Sequence, residues 1–221
     1  MRQRRIKNLE EKLAECSSYI TENPKEMKGH WHEVFGNDRP IYLELGCGKG
    51  QFIRAHAERN PENNYIAVEG ALSVVLRALE KVRDAELGNI TFILEFVQDL
   101  RDYFEDGELA GIYLNFSDPW PKDRHAKRRL TYSKRLRHYC QVIEEGGNIQ
   151  FKTDNEGLFD FTLEQIDEAG LEIVEMSRDL HNVQLNPELA EKNITTEYED
   201  KFAGIGKNIN YVMIKAKEKD S

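Results

Sequence analysis

The sequence predicts an α/β fold built around a largely parallel β-sheet. Short apolar runs of strand length alternate with amphipathic stretches of helical length, as in strand–helix–strand units. The first apolar run ends in a glycine-rich turn, which is typical of a strand that leads into a helix. The 221 residues, 39% hydrophobic and 32% charged, suit one globular domain spanning residues 1–221.

The elements follow in order along the chain. An extension of residues 1–40 comes first, with a predicted amphipathic helix over 2–16 and loops with short turns over 17–40. The predicted strands are 41–45, 65–68, 90–94, 111–116, 148–152, 171–176 and 211–217. The predicted helices are 51–59, 71–85, 132–143 and 158–169. Because ligands of such sheets bind outside the carboxyl ends of the strands, the residues that follow each strand are the candidates for chemistry.

Composition excludes several classes of protein. No apolar run approaches the roughly 20 residues that span a bilayer, and no secretory signal is visible, so we expect a cytoplasmic protein that does not contact membranes. Three cysteines without close pairs, and histidines without a metal-ligand spacing, predict neither a disulfide framework nor a metal site.

Charge is unevenly distributed. The net charge is -9, yet eight Lys/Arg and one acid lie between Lys122 and Arg137. A basic patch on an acidic body predicts a defined contact with a polyanion instead of general coating of nucleic acid.

A glycine turn and an acid follow the first two strands. Gly46, Gly48 and Gly50 let the backbone turn tightly and approach a ligand, although a plain strand–turn–helix connection has the same pattern. The spacing fits neither a dinucleotide fingerprint nor a phosphate-binding P-loop. Glu69 lies about 20 residues beyond the turn, where an acid accepts hydrogen bonds from ribose hydroxyls. Its alternative role is to favour the start of the next helix.

The segment after the fourth strand, NFSDPWPK, is the most informative. Two prolines flank Trp120 and stiffen a loop that fixes Asp118 beside the expected ligand. A helix N-cap followed by proline would explain Asp118 and Pro119, but not Trp120 or the basic run behind it.

These motifs resemble one known family. LELGCGKG, AVEG and NFSDPWPKDRHAKRRLTY, with GHWHEVFG upstream and FKTDNEGLF and TEYEDKF downstream, are similar to bacterial tRNA (guanine-N7-)-methyltransferases. The resemblance implies the class I methyltransferase (Rossmann-like) fold, a mainly parallel seven-stranded sheet with helices on both faces. It also implies transfer of a methyl group from S-adenosylmethionine to N7 of a variable-loop guanine in tRNA.

The resemblance also implies site residues. The cofactor-binding positions are Glu44, Gly46, Gly48, Glu69 and Asp118, and Asp118 is also the catalytic position. The substrate-binding positions are Lys122, Asp154, Thr196, Glu197, Tyr198 and Glu199. The RNA-contacting positions are Arg124, His125, Lys127, Arg128 and Arg129. One departure is Phe96, where the family often has an Asp that contacts adenine, so the adenine contact stays open; Asp99 is a nearby acid.

The chemistry of guanine N7 limits the roles that Asp118 and Asp154 can have. Guanine N7 carries an in-plane lone pair and needs no general base, so Asp118 is expected to stabilise the cationic product or to accept hydrogen bonds from guanine N1–H and N2–H. Asp154 is a second candidate for this work, with a helix N-cap as its alternative.

Several alternatives stay open. Residues 196–199 also fit a capping box. The basic N-terminus, Arg2, Arg4, Arg5 and Lys7, either extends the RNA surface or is a frayed end, and we expect the extension of residues 1–40 to pack on or near the RNA side.

Competing functions are a methyltransferase for exocyclic amines and a non-catalytic RNA- or nucleotide-binding protein; a nicotinamide-dependent oxidoreductase is disfavoured by the glycine spacing. A monomer or a homodimer fits the sequence.

Overall fold

A seven-stranded sheet forms the centre of the structure. The structure is a computed structural model and describes residues 6–216, so that Arg2, Arg4 and Arg5 lie outside the described residues. The strands are β1 (Ile41–Leu45), β2 (Asn64–Val68), β3 (Ile90–Ile93), β4 (Leu109–Asn115), β5 (Ile143–Thr153), β6 (Glu172–Ser177) and β7 (Asn210–Lys215). Their order is β3-β2-β1-β4-β5-β7-β6, and β7 runs antiparallel to both of its neighbours while the other pairings are parallel.

Helices surround the sheet. They are α1 (Leu9–Ala14), α2 (Trp31–Phe35), α3 (Gln51–Arg59), α4 (Leu72–Asp84), α5 (Ser133–Val142), α6 (Glu156–Ala169), α7 (Pro187–Lys192) and α8 (Glu197–Ala203). Short 3-10 helices cover Ser17–Tyr19, Leu100–Asp102 and Asp123–Arg128. In the part of the chain from 6 to 216, no helix combines the length and the apolar composition needed to cross a bilayer.

The sheet buries both of its faces. Side chains of β2 alternate between two apolar clusters, as the two-residue period of a strand requires. Tyr65 and Ala67 pack in a cluster with α3 and α4, whereas Ile66 and Val68 pack in a cluster with α5 and α6. The predicted arrangement of helices on both faces is therefore confirmed, and burial on both sides explains why the strands are continuous apolar runs.

The N-terminal extension differs from its prediction. The first helix spans only Leu9–Ala14, and a short helix, α2, lies in the region predicted to be loop. Trp31 anchors α2, because its side chain is fully buried and its Nε1 donates a hydrogen bond to the Tyr103 carbonyl at 2.9 Å. Cys16 is buried in the cluster that contains α4, and Ile20 bridges to Phe92 of β3. The first part of the extension thus packs beside β3 and α4, whereas α2 packs on the segment that precedes β4. The proximity of the extension to RNA stays a prediction.

Candidate active site

The carboxyl ends of four neighbouring strands meet at one cavity of about 530 Å³. Gly46 follows β1, Glu69 follows β2, the segment 95–98 follows β3 and Asp118 follows β4, and all of them line this cavity. The volume lies within the range of roughly 300–1,000 Å³ that small-molecule sites occupy. The strand tips converge as predicted, because Gly46 of the glycine turn, Glu69 and Asp118 line the same cavity.

The glycines of the turn have two different reasons to be glycine. Gly46 and Gly48 have φ values of 78° and 58°, and a Cβ atom on either would meet no atom within 4 Å. They shape the turn and leave open space beside it. Gly50 also has a positive φ, 76°, and in addition a Cβ there would lie 2.5 Å from the Cβ of Ala78. Gly50 therefore lets the start of α3 pack closely on α4.

Glu69 combines the two roles that the sequence left open. One carboxylate oxygen accepts a hydrogen bond from the Gly48 amide at 3.2 Å, and the other accepts one from the Ala71 amide at 2.9 Å, just before α4 begins. Two carboxylate oxygens offer about four acceptor positions, so each oxygen retains capacity for a ligand hydroxyl. Glu69 thus supports the entry to α4 and still faces the cavity.

Three buried polar atoms, two of them on residues that line the cavity, lack hydrogen-bond partners. Glu44 is buried on β1, where its Oε1 accepts a hydrogen bond from Asn115 Nδ2 at 2.8 Å and burial raises the pKa of the carboxyl to about 8. Glu44 Oε2, Asn115 Oδ1 and Ser117 Oγ have no partner. Buried polar atoms without partners are uncommon in folded proteins, and their grouping here indicates a place where a polar ligand completes the network.

The loop that carries Asp118 has strained backbone conformations and is fixed by hydrogen bonds from Arg129. Phe116 and Trp120 have φ values of 50° and 41°, a region that large side chains rarely adopt and that often marks functional loops. Arg129 fixes this loop, because its Nε donates to the Pro119 carbonyl at 3.0 Å and its Nη2 to the Trp120 carbonyl at 3.0 Å. Asp118 is exposed at the cavity wall.

Arg129 departs from its expected contact with RNA. Its side chain is buried, and its guanidinium lies 4.1 Å from the centre of the Phe161 ring. With its donors used on the loop, this placement favours a scaffolding role over a phosphate contact. Three other residues predicted to contact RNA are exposed, unlike Arg129; they are Arg124, Lys127 and Arg128, along the 3-10 helix Asp123–Arg128.

Trp120 joins the basic stretch to the cavity. Arg128 lies 5.0 Å above its ring, and the His125 ring meets it edge-on at 5.8 Å. Both Trp120 and Arg128 line the cavity, while Lys122 is exposed at the start of the 3-10 helix. One cation of the basic stretch, Arg128, therefore reaches the cavity wall, and the exposed Lys122 lies two residues from Trp120 in the chain.

Asp154 is not a helix N-cap, so that alternative is wrong. Asn155 caps α6, where its side chain accepts a hydrogen bond from the Leu158 amide at 2.8 Å. Asp154 instead accepts a hydrogen bond from Lys207 Nζ at 2.8 Å. Desolvation raises the pKa of the Tyr198 phenol, and the charge of Asp154 raises it further.

Aromatic rings place Tyr198 near the loop of Asp118. Its ring stacks on Phe202 at a centroid distance of 4.2 Å and lies 4.9 Å from the ring of Phe116. Since Phe116 lines the cavity, α8 borders the same region as the strand tips.

The capping box predicted for residues 196–199 is present, and it changes the interpretation of two of them. Thr196 Oγ1 accepts from the Glu199 amide at 2.9 Å, and Glu199 Oε2 accepts from the Thr196 amide at 3.4 Å. Glu199 has no exposed side-chain surface, and its carboxylate pairs with Lys152 Nζ at 2.6 Å. His181 and Asn193 also contact it, at 3.0 and 2.7 Å. A carboxylate enclosed in this way has no room for the substrate contact that the resemblance implied.

Glu197 connects α8 to the cofactor side of the cavity. One oxygen pairs with Lys81 Nζ at 2.6 Å, and the other accepts a weak hydrogen bond from the Gln51 amide at 3.4 Å. These contacts occupy Glu197 as a link between α8, α3 and α4.

Sequence reasoning missed the partners that hold these groups in place. Lys81 and His181 lie outside the sequence motifs, and Asn115 lies in NFSDPWPK without a predicted role; only the fold brings them to Glu197, Glu199 and Glu44. Lys152 did carry a signal, because a lysine within a buried apolar strand requires a partner. Among residues 6–216, no group of three or more His, Cys, Asp and Glu side chains is arranged to hold a metal ion.

Comparisons with known proteins agree on one family. A family model described as a putative methyltransferase matches residues 38–212. A tRNA (guanine-N(7)-)-methyltransferase of Bacillus subtilis (strain 168) is 50% identical over 197 residues, covering 89% of this chain and 90% of that protein. The enzyme of the same name from Lactococcus lactis subsp. cremoris (strain MG1363) is 47% identical, covering 95% of each chain.

Solved structures show the same fold at low sequence identity. The 16S rRNA methyltransferase KamB aligns with a TM-score of 0.62 at 11% identity, covering 86% of this chain and 94% of that one. A 16S rRNA (adenine(1408)-N(1))-methyltransferase from Catenulisporales acidiphilia, solved with the cosubstrate SAM, aligns with a TM-score of 0.56 at 12% identity, covering 91% and 94%. The predicted class I methyltransferase fold is thereby confirmed.

Proposed function

Since this chain belongs to the bacterial tRNA (guanine-N(7)-)-methyltransferase family, we propose that it transfers a methyl group from S-adenosylmethionine to N7 of a variable-loop guanine in tRNA. The observation that carries the proposal is the meeting of the glycine turn, Glu69 and Asp118 at one cavity. The tRNA substrate also leads us to propose a cytoplasmic location.

The residues of the cavity fit S-adenosylmethionine. Glu69 has the acceptor capacity for the ribose hydroxyls, and the open turn at Gly46 and Gly48 leaves space for the methionine part. The unpaired Asn115 Oδ1, on a residue that lines the cavity, is an acceptor suited to an ammonium group, whereas Glu44 can accept from that group only after it loses the proton that its raised pKa retains. When bound, this cofactor supplies an electrophilic methyl group on a sulfonium.

Asp118 acts on the target base. Guanine N7 needs no deprotonation, so the protein must align the base with the methyl group, and positioning of this kind is worth about 7–11 kcal/mol in well-oriented systems. The exposed carboxylate of Asp118 stabilises the positive charge that develops on the methylated base. It also accepts hydrogen bonds from guanine N1–H and N2–H, which adenine does not offer.

Tyr198 with Asp154, and a set of exposed cationic side chains, complete the proposed binding site for tRNA. The Tyr198 ring, 43% exposed, offers a face on which a base stacks, and Asp154 lies beside its phenol. The exposed Lys122, Arg124 and Lys127 bind phosphates while the guanine is drawn out of the tRNA core at a cost of a few kcal/mol.

The test is methyl transfer with mapping of the product. Purified protein is incubated with radiolabelled S-adenosylmethionine and unmodified tRNA transcripts, and the labelled nucleoside is identified by mass spectrometry. N7-methylguanosine at the variable loop is expected. A methylated exocyclic amine would instead support the first alternative, and tRNA binding without transfer the second.

Variants locate the reaction at Asp118. Asp118→Asn should lower turnover sharply with an unchanged fold, whereas the matched control Asp123→Asn, another exposed acid in the same segment, should stay active. Full turnover in Asp118→Asn would remove this carboxylate from the mechanism.

A further inference from the structure

Phe96 is an aromatic side chain exposed in the wall of the cavity. Of its surface, 74% is accessible, and it belongs to none of the apolar clusters formed by residues 6–216. Its ring lies against Gly70, where a Cβ atom would come within 2.5 Å of the ring carbons. One ring face is therefore supported by bare backbone, and most of the ring stays open.

The strand order assigns Phe96 to one end of the bound cofactor. The order β3-β2-β1-β4 places the tip of β2, with Glu69, between the tip of β3 and the loop of Asp118. In S-adenosylmethionine, the ribose lies between adenine and the sulfonium. With the ribose at Glu69 and the methyl group near Asp118, the adenine lies over the tip of β3, where Phe96 is.

The two acids next to Phe96 make contacts with other side chains. Asp99 pairs with Arg101 at 2.6 Å and with His138 at 3.2 Å, and the hydrogen bonds from Arg101 lower the pKa of this carboxyl to about 2. Glu95 accepts a hydrogen bond from the Tyr103 hydroxyl at 2.6 Å. Asp99 is thus occupied and does not line the cavity, whereas Glu95 lines it and retains acceptor capacity on its other oxygen, so the comparison with an inosine ligand below distinguishes stacking on Phe96 from a contact with Glu95.

We propose that the Phe96 ring is the platform on which the adenine of S-adenosylmethionine stacks. The inference rests on the proposed function, because it takes the cavity to be the cofactor site. Stacking uses the π face of the base and does not read its exocyclic group. The chain should therefore tolerate replacement of the adenine amino group by oxygen, which a carboxylate acceptor would reject.

Calorimetry tests the proposal without catalysis. The probe is S-adenosylhomocysteine, titrated into the wild type, Phe96→Ala, Phe96→Leu and Phe96→Tyr. Loss of the ring in the Ala and Leu variants should weaken binding about 5- to 150-fold, the range for loss of one base-stacking side chain. Phe96→Tyr should stay within about 3-fold, since it keeps the ring. Leu185→Ala, which removes an equally exposed apolar side chain outside the cavity, should leave binding unchanged.

The outcomes separate this inference from the proposed function. If the wild type does not bind S-adenosylhomocysteine, the proposed cofactor site is wrong, and the proposal that Phe96 stacks on the adenine is wrong as well. If the wild type binds but Phe96→Leu binds equally well, only the platform is wrong. S-inosylhomocysteine gives a second readout: wild-type affinity within about 10-fold of that for S-adenosylhomocysteine supports stacking, and a larger loss overturns it. Thermal unfolding of each variant verifies the fold.

Discussion

Replacement of Glu199 by Gln should destabilise the fold as a whole, because this carboxylate lies in a closed ionic network. It pairs with Lys152 at 2.6 Å and neither side chain is exposed. Burial lowers the pKa of Lys152, against the opposing effect of Glu199. Burial alone would raise the pKa of Glu199, but the groups that donate to it, His181, Lys152 and Asn193, hold it below its usual value. Without the carboxylate, a buried ammonium loses its counter-charge.

The expected loss is large relative to the stability of a domain. Removing one partner of a buried ion pair costs about 3–5 kcal/mol, against a total of about 5–15 kcal/mol. For a chain of this length, each kcal/mol shifts Tm by about 2–4 °C, so Tm should fall by roughly 6–20 °C. Urea unfolding followed by circular dichroism measures the free energy, and calorimetry the Tm.

A double variant tests the cause. Glu199→Gln with Lys152→Met removes the unpaired charge and should recover much of the lost stability. Because the pKa of Glu199 is lowered in the folded state, its contribution is present above about pH 4.3, its unfolded value, and is lost as the pH falls through the folded pKa. A loss under about 1 kcal/mol together with a raised KM for tRNA would refute this reasoning and restore the substrate contact that the resemblance implied.

Four other residues give separate predictions. Gly50→Ala should cost about 1–3 kcal/mol in urea unfolding, because its Cβ would lie 2.5 Å from that of Ala78 and because its φ of 76° disfavours alanine. Glu44 keeps its proton up to a pKa of about 8, so it destabilises the ligand-free fold as the pH rises from about 4 to about 8. Glu44→Gln should therefore reduce the fall in unfolding free energy over that range. Arg129→Ala should lower kcat at an unchanged salt slope of tRNA binding, whereas Lys127→Ala should reduce that slope by about 1.

The sequence predicted what local patterns encode. Buried parallel strands appear as apolar runs, and the residues at their tips meet because the strands are parallel neighbours, so Glu69 and Asp118 were found together. The resemblance predicted one substrate-binding segment over residues 196–199, but it did not separate the structural contacts of Glu197 and Glu199 from the exposed position of Tyr198. Burial decides whether an acid such as Glu199 contacts substrate or holds a lysine, and burial depends on elements far away in the chain.

Helix α8 shows how these separate tasks serve one reaction. Glu197 ties its first turn to Lys81 and to the start of α3, beside the glycine turn. The next residue, Tyr198, faces Phe116 and Asp154 on the substrate side. Because the two residues are consecutive, a displacement of α8 moves both sets of contacts together. Under the proposed function, the reacting groups must be held to within about 0.5 Å, and we propose that this short helix, through both sets of contacts, couples the position of the base to that of the cofactor.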